Sequence, residues 1–342
     1  MSVSRVGVAV IGAGRAGLIH ARALQRSVDA AYLVALADPD DDARSRAAAD
    51  LGLDTHHADH RALLDDDRVD AVVVVTPTKF HHGIVLDALA AGKHVLCEKP
   101  MAMNAEECAE MVDAAERADR RLQIGFMRRF DSGFRRAKEL IDSGAIGEVV
   151  TVKSMTHGPS VPHPWMYDLA ASNGPLAEVS SHDIDTVRWL CGSEVTSVYA
   201  TGGNYRSPQA RKEFPDFYDT VLMTCTMANG TIGSVDGAQG VRYGYDARVE
   251  ILGTDGRLDI GDLTTDRVVL HARDGRSSRD IVPSWRNLFE DAYVAEDVSF
   301  VDAIRTGAPT EVTGTDGLRA VQIVNAGNES LRTGAVVRLP GD

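Results

Sequence analysis

The first 125 residues alternate between short apolar runs and longer segments whose apolar residues recur every three or four positions. Residues 5–11 are rich in Val and Ile, and glycines follow directly. Leu18, Ala21 and Leu24 then share one face of a helix. The same rhythm predicts strands over 32–37, 71–75, 95–97 and 122–125. Helices are expected over 43–51, 83–91 and 105–118, the last with Asn104 as its N-cap. Such alternation implies an α/β unit, a parallel sheet covered on both faces by helices.

Beyond Gly125 the rhythm changes. β-like segments over 149–154, 195–201, 220–226, 231–236 and 248–252 are joined mostly by turns, with Asn229-Gly230 and Asp255-Gly256 as hairpin signals. Helices are expected near 134–143, 178–190, 288–305 and 316–333. The expected organisation is therefore a domain over 1–125 and a second over 126–342, the latter an α/β domain on an open, mostly antiparallel sheet.

Charge narrows the function. The chain carries 36 basic and 50 acidic side chains, a net of -14, without a block of consecutive Lys or Arg. A phosphate-backbone binder would present a basic face, so nucleic acid is disfavoured. The apolar runs, 71–75 among them, fall far short of the roughly 20 residues that span a membrane. The first residues lack the pattern of a signal peptide. Cys97, Cys108, Cys191 and Cys225 are scattered, as expected for reduced thiols in the cytoplasm rather than for a disulfide framework or a zinc site.

Gly12-Ala-Gly14-Arg-Ala-Gly17 sits between the first strand and the first helix, the context in which G-x-G-x-x-G binds a dinucleotide. The first glycine permits a tight turn, the second lets the main chain approach a pyrophosphate, and the third lets helix and strand pack closely. Asp38 ends the second strand, where a carboxylate accepts hydrogen bonds from ribose hydroxyls and repels a 2'-phosphate, so NAD is favoured over NADP. Arg44, six positions on, is the one nearby side chain weighed against that reading.

Two constellations offer chemistry. Lys99, in Cys97-Glu-Lys99-Pro100, follows the fifth strand, whose C-terminal end belongs to the ligand crevice; an ammonium there stabilises a developing alkoxide. Glu178, His182 and Asp185 share one face if their segment is helical, and His182 is suited to accept a proton. On position alone, a solvated lysine and a structurally satisfied histidine stand as alternatives. His56, His57 and His60, beside Asp54 and Asp59, read as solvated surface before they read as a metal cluster. His81 opens a helix after Thr76-Pro77 and either borders the cofactor or caps. Sequence signatures of serine hydrolases, zincins and P-loop kinases are absent.

Together, Gly12 to Gly17, Glu98-Lys99-Pro100 and Glu178 to Asp185 resemble the Gfo/Idh/MocA oxidoreductase family, and within it the inositol dehydrogenases. Gly125 to Gly133, Arg242 to Asp246 and Asp291-Ala-Tyr293 resemble stretches that shape the polyol pocket there. The resemblance implies an N-terminal Rossmann domain holding NAD through Gly12, Gly14, Arg15, Ala16, Gly17, Asp38, Thr76, Pro77, His81, Glu98 and Lys99. It implies Lys99 and His182 as catalytic residues with Glu178 as the orienting carboxylate, and Arg128, Asp185, Tyr245 and Tyr293 on the substrate side; His157 is expected there as part of the stretch over 157–165. It further implies a homo-oligomer, usually a tetramer, and no metal. Glu178 stands where the family commonly has Asp, and the stretch over 157–165 differs from the inositol enzymes. The expected activity is NAD-dependent oxidation of a secondary hydroxyl of a cyclitol, myo- or scyllo-inositol, or of a related sugar. The alternatives are an NAD(P)-dependent sugar or glycoside dehydrogenase or ketoreductase, NAD-dependent glycoside cleavage, and a non-catalytic NAD and sugar sensor.

Overall fold

The computed structural model describes residues 5–264 and 268–339. The first four residues, part of the segment on which the signal-peptide reading rests, lie outside that range. Contacts divide the chain into two compact units, Met1–Asp131 with Glu290–Val321, and Ser132–Phe289 with Gln322–Asp342.

In the first unit the strands are β1 (Val6–Ile11), β2 (Ala31–Ala37), β3 (His56–His57), β4 (Ala71–Val74), β5 (His94–Glu98) and β6 (Leu122–Gly125). The helices are α1 (Arg15–Arg26), α2 (Asp41–Leu51), the single turn α3 (Arg61–Leu64), α4 (His81–Ala90) and α5 (Ala105–Ala118). The sheet order is β3-β2-β1-β4-β5-β6, and every neighbouring pair is parallel. Every residue of β1 and of β4 is buried, which is why these strands read as continuous apolar runs. Asn104 caps α5 as its sequence predicts, its side chain accepting from Glu107 N at 2.8 Å. Ala21 and Leu24 on α1 enter a core shared with Phe300 and Val301 of the helix Glu290–Thr306, which is α11 in chain order.

The second unit contains α6 (Ser132–Asp142), β7 (Val149–Gly158), α7 (Leu169–Ser172), α8 (Gly174–Glu178), α9 (Ser181–Cys191), β8 (Val195–Gly203), β9 (Thr220–Met227), β10 (Ile232–Gln239), β11 (Asp246–Gly253) and β12 (Arg257–Ile260). A two-residue pair, β13 (Leu270–His271) and β14 (Ser277–Ser278), and the turn α10 (Trp285–Leu288) follow. After α11 come α12 (Gly314–Thr333) and β15 (Val337–Arg338). The main sheet runs β12-β11-β7-β10-β9-β8-β15; β7 and β10 are parallel and the other pairs antiparallel.

The helix expected over 178–190 is two helices, because Val179 N and Ser180 N both bond the Pro175 carbonyl and Ser180 O begins a new ladder to Ile184 N. The β-branched Val179 at the joint lowers helix propensity there. Glu178 therefore ends α8, while His182 and Asp185 lie one turn apart on α9; the three are not on one face of a single helix.

Helix α9 packs on β7 and β10. Gly233 and Gly237 of β10 make that approach possible: a Cβ at Gly233 would lie 2.4 Å from Val187 Cγ1, and one at Gly237 2.1 Å from Ser180 Oγ. Valine is stiff about χ1 and cannot simply swing away. Gly233→Ala is accordingly expected to destabilise the protein by about 1–3 kcal/mol in urea unfolding; unchanged stability would mean that α9 does not depend on this gap.

Candidate active site

The glycine loop leaves β1 at Gly12, whose φ of 114° only glycine adopts without strain. A Cβ there would also meet Val75 O at 2.5 Å. Gly17 is required for a different reason, since its Cβ would fall 1.9 Å from Gly12 O. Gly14 is unlike both. Its φ of -73° and ψ of -172° suit any residue, and a Cβ built on it meets nothing within 4 Å. Nothing in the packing demands glycine there; open space faces the start of α1, where free N–H groups and the helix dipole favour an anion.

Asp38 closes this cradle. Its Oδ2 accepts Ala13 N at 2.7 Å and its Oδ1 accepts Asp40 N at 2.9 Å, leaving lone pairs on both oxygens. Arg44 donates to Asp38 O at 2.7 Å and pairs with Asp41, so its guanidinium is already engaged. A cavity of about 780 Å³ opens between the ends of β1, β2 and β4, lined by Gly12, Gly14, Asp38, Thr76, Pro77 and Lys79, among others. His60 also lines it, with Nε2 3.0 Å from Asp87 Oδ2, whereas His56 and His57 form the edge strand β3.

His81 joins two of the strand-end loops. Its buried ring lies between Thr76 O, 2.7 Å from Nε2, and Pro100 O, 2.9 Å from Nδ1. Burial holds its pKa below the usual histidine value. The neutral ring donates to one of these two carbonyls at a time and lies between the Thr76-Pro77 turn and the end of the Lys99-Pro100 segment. Lys99 is half-buried just past β5, and its backbone N–H donates to Glu98 Oε2 at 2.9 Å. Arg15 is exposed and Ala16 half-buried in the first turn of α1. Arg128, in a single turn after β6, and Tyr293 of α11 are buried in this same unit.

In the second unit, His182 and Asp185 lie buried in the first two turns of α9. Between them Asp183, which sequence reasoning passed over, accepts from Ser154 Oγ at 2.6 Å and Thr156 Oγ1 at 2.9 Å, fastening the helix to β7. His157, at the end of β7, has Nε2 3.0 Å from Asp236 Oδ1 and Nδ1 2.7 Å from the Tyr243 hydroxyl. Tyr243 Oη donates to Asp246 Oδ2 at 3.2 Å; burial and the Asp246 charge push the phenol up to about 12. Asp246 in turn accepts from Arg248 at 2.7 and 2.9 Å. The Tyr245 ring is buried edge-on to Phe289, with centroids 6.4 Å apart.

Residues 6–126 match the model of the oxidoreductase family with an NAD-binding Rossmann fold, and residues 134–259 match the Gfo/Idh/MocA C-terminal domain. The chain belongs to the Gfo/Idh/MocA family. It is 34% identical to the NAD(+) scyllo-inositol 2-dehydrogenase of Bacillus subtilis, covering 98% of this chain and 96% of that one. Inositol 2-dehydrogenase 3 of Saccharopolyspora erythraea is 35% identical, over 97% and 95% of the two chains. Among solved structures, scyllo-inositol dehydrogenase from Lactobacillus casei with bound NAD(H) and scyllo-inositol aligns with a TM-score of 0.89 at 27% identity, over 98% of this chain and 99% of that one. The myo-inositol dehydrogenase of the same organism, in complex with NAD(H) and myo-inositol, aligns with a TM-score of 0.87 at 30% identity, over 99% and 98%.

The protein is thus an NAD-dependent oxidoreductase of this family, and the residues around the cavity fit the cofactor. The open space before Gly14 admits a pyrophosphate, and the spare lone pairs of Asp38 match a ribose diol. The two glycines separate binding from folding. Gly14→Ala should leave stability within about 1 kcal/mol of the parent while weakening NAD at least roughly tenfold in a binding titration. Gly17→Ala should instead cost about 1–3 kcal/mol of folding stability. Equal losses of stability in the two variants would remove the case for Gly14 as the phosphate contact.

Proposed function

We propose that this enzyme oxidises a secondary hydroxyl of a cyclitol, myo- or scyllo-inositol, to the ketone. Bound NAD supplies the hydride acceptor. Lys99 donates a hydrogen bond to the reacting oxygen and stabilises it as the C–H bond breaks. His182 takes the hydroxyl proton, and Glu178, from the end of α8, orients the ring. Arg128, His157, Asp185, Tyr245 and Tyr293 hold the remaining hydroxyls. The observation that carries this reading is near-full-length similarity to inositol 2-dehydrogenases in a chain that bears Lys99 immediately after β5 and His182 in the first turn of α9.

NADH formation across inositol isomers, inosamines, glucose, xylose and simple glycosides, with NAD and NADP in parallel, tests it. Turnover is expected with an inositol and NAD. Lys99→Ala should lower kcat about 100- to 1,000-fold while leaving NAD binding largely intact. Near-parental turnover by that variant would overturn the assigned chemistry, and turnover of a glycoside alone would overturn the substrate.

The oligomer is part of the same reading. Tyr199, Leu222, Ile232 and Leu252 are large hydrophobic side chains exposed on strands of the main sheet, at positions between buried ones. A monomer rarely leaves so apolar a sheet face wet, and we assign it to contact between copies in a homotetramer. Leu222→Glu should reduce the mass measured by analytical ultracentrifugation; an unaltered tetramer would exclude this face. Among the described residues no helix is long and apolar enough to cross a membrane. The four cysteines are free and buried, which suits a reducing compartment, and the cytoplasm is the proposed location.

A further inference from the structure

Behind the Glu98-Lys99 turn, four ionisable side chains of the first unit are closed off from solvent. His20 comes from α1, Glu98 from the end of β5, and Glu296 and Asp297 from α11. Glu98 is 5% exposed and the other three 0%. His20 Nδ1 is 2.7 Å from Asp297 Oδ1, and its Nε2 is 3.3 Å from Glu98 Oε1. The remaining oxygen of Glu98 accepts the Lys99 N–H at 2.9 Å. Glu296 directs a carboxyl oxygen to within 4.8 Å of the facing His20 and Glu98 atoms, and neither of its oxygens has a hydrogen-bond partner among the described residues. Tyr293 closes the site with its ring edge-on to His20, centroids 5.3 Å apart.

Electrostatics fixes the protonation. Three ionised carboxylates around a neutral imidazole would put three like charges where no water can screen them. Burial opposes a charge on His20, but Asp297 and Glu98 outweigh it and hold the imidazolium well above the usual histidine range. Burial, reinforced by the charge of Glu98, pushes Glu296 well above the carboxylate range, and burial also raises Asp297 against the pull of His20. The consistent state has both ring N–H groups of His20 donating, to Asp297 and Glu98, beside a neutral Glu296. Two protons thereby reduce the cluster to a single negative charge. The same donors would suit a divalent cation, yet both nitrogens of His20 are already directed at carboxylates.

We propose that His20 is a positioning residue for Lys99: its proton-carrying ring fixes the Glu98 carboxylate, which fixes the backbone from which the Lys99 amine projects, with Glu296 as an uncharged neighbour. This rests on Lys99 acting at the reacting oxygen, as above. The group is assembled from segments 277 residues apart, so the late helix α11 holds the catalytic lysine's support in place.

Four variants of the full-length enzyme test it. In His20→Gln no cation bridges the two acids; kcat should fall about 10- to 100-fold, with the polyol KM and NAD Kd within about threefold of the parent. Asp297, which burial raises, should then take up a proton, so the kcat–pH profile should gain an ionisation, which His20→Gln/Asp297→Asn should remove. Parental kcat with a parental pH profile in His20→Gln would overturn the proposal. Glu296→Gln mimics a neutral acid and should keep kcat within about twofold of the parent. The infrared difference spectrum between parent and Glu296→Gln should contain the C=O stretch of a protonated carboxylic acid. A missing band, or a stoichiometric divalent metal in elemental analysis of the parent, would overturn the proton assignment even if His20→Gln failed to fold. Lys99→Ala separates the two readings: if it stays active, the chemistry assigned to Lys99 fails; if it is inactive while His20→Gln is parental, only the positioning role fails.

Discussion

A parallel sheet covered by helices on both faces has to reverse its winding once, and here the reversal falls between β1 and β4. At that point the connections leave in opposite directions, and the ends of the two strands stand apart instead of being roofed over. The first unit is organised by this gap. The glycine loop leaves one side, held by Gly12 N to Ala37 O at 2.8 Å, and Val75 N to Ile11 O at 2.8 Å holds the other. Thr76 and Pro77 follow directly. Lys99 arrives from the next strand over, so cofactor cradle and candidate catalytic amine are fixed by the same register.

Most of the first unit was readable in the sequence because strands buried on two faces cannot hide their apolar content. Strand β3 escaped, since His56 and His57 join the sheet through main-chain pairing with Leu36 and Ala37, and their side chains carry no periodic signal. The break between α8 and α9 escaped for the opposite reason: residues 178–190 have an adequate helical pattern, and the shared use of Pro175 O by Val179 N and Ser180 N leaves no mark in it. The parallel pairing of β7 with β10 inside an otherwise antiparallel sheet also has no local mark, because both strands alternate in the same way.

The candidate site divides along similar lines. The glycines and Asp38 act through backbone geometry within a few residues, so spacing alone reveals them. His157 was placed on the substrate side from its neighbourhood, but its partner Asp236 lies 79 residues away and could not be anticipated. His20 carried even less signal. On sequence it is one polar residue on the buried face of α1, and only folding brings Asp297 to it. Groups whose chemistry depends on a distant partner remain silent until the topology is known.

The return of Glu290–Val321 to the first unit sets an order of events during synthesis. Residues 1–131 leave the ribosome early and contain the whole parallel sheet, yet the apolar face of α1 that meets Phe300 and Val301 has no cover until the last tenth or so of the chain emerges. Residues 132–289 of the second unit are translated in the interval. The nucleotide fold must therefore wait, nearly formed and with a greasy flank open, through nearly half of translation. Such a nascent state is one that chaperones recognise, and one that a prematurely terminated chain never leaves.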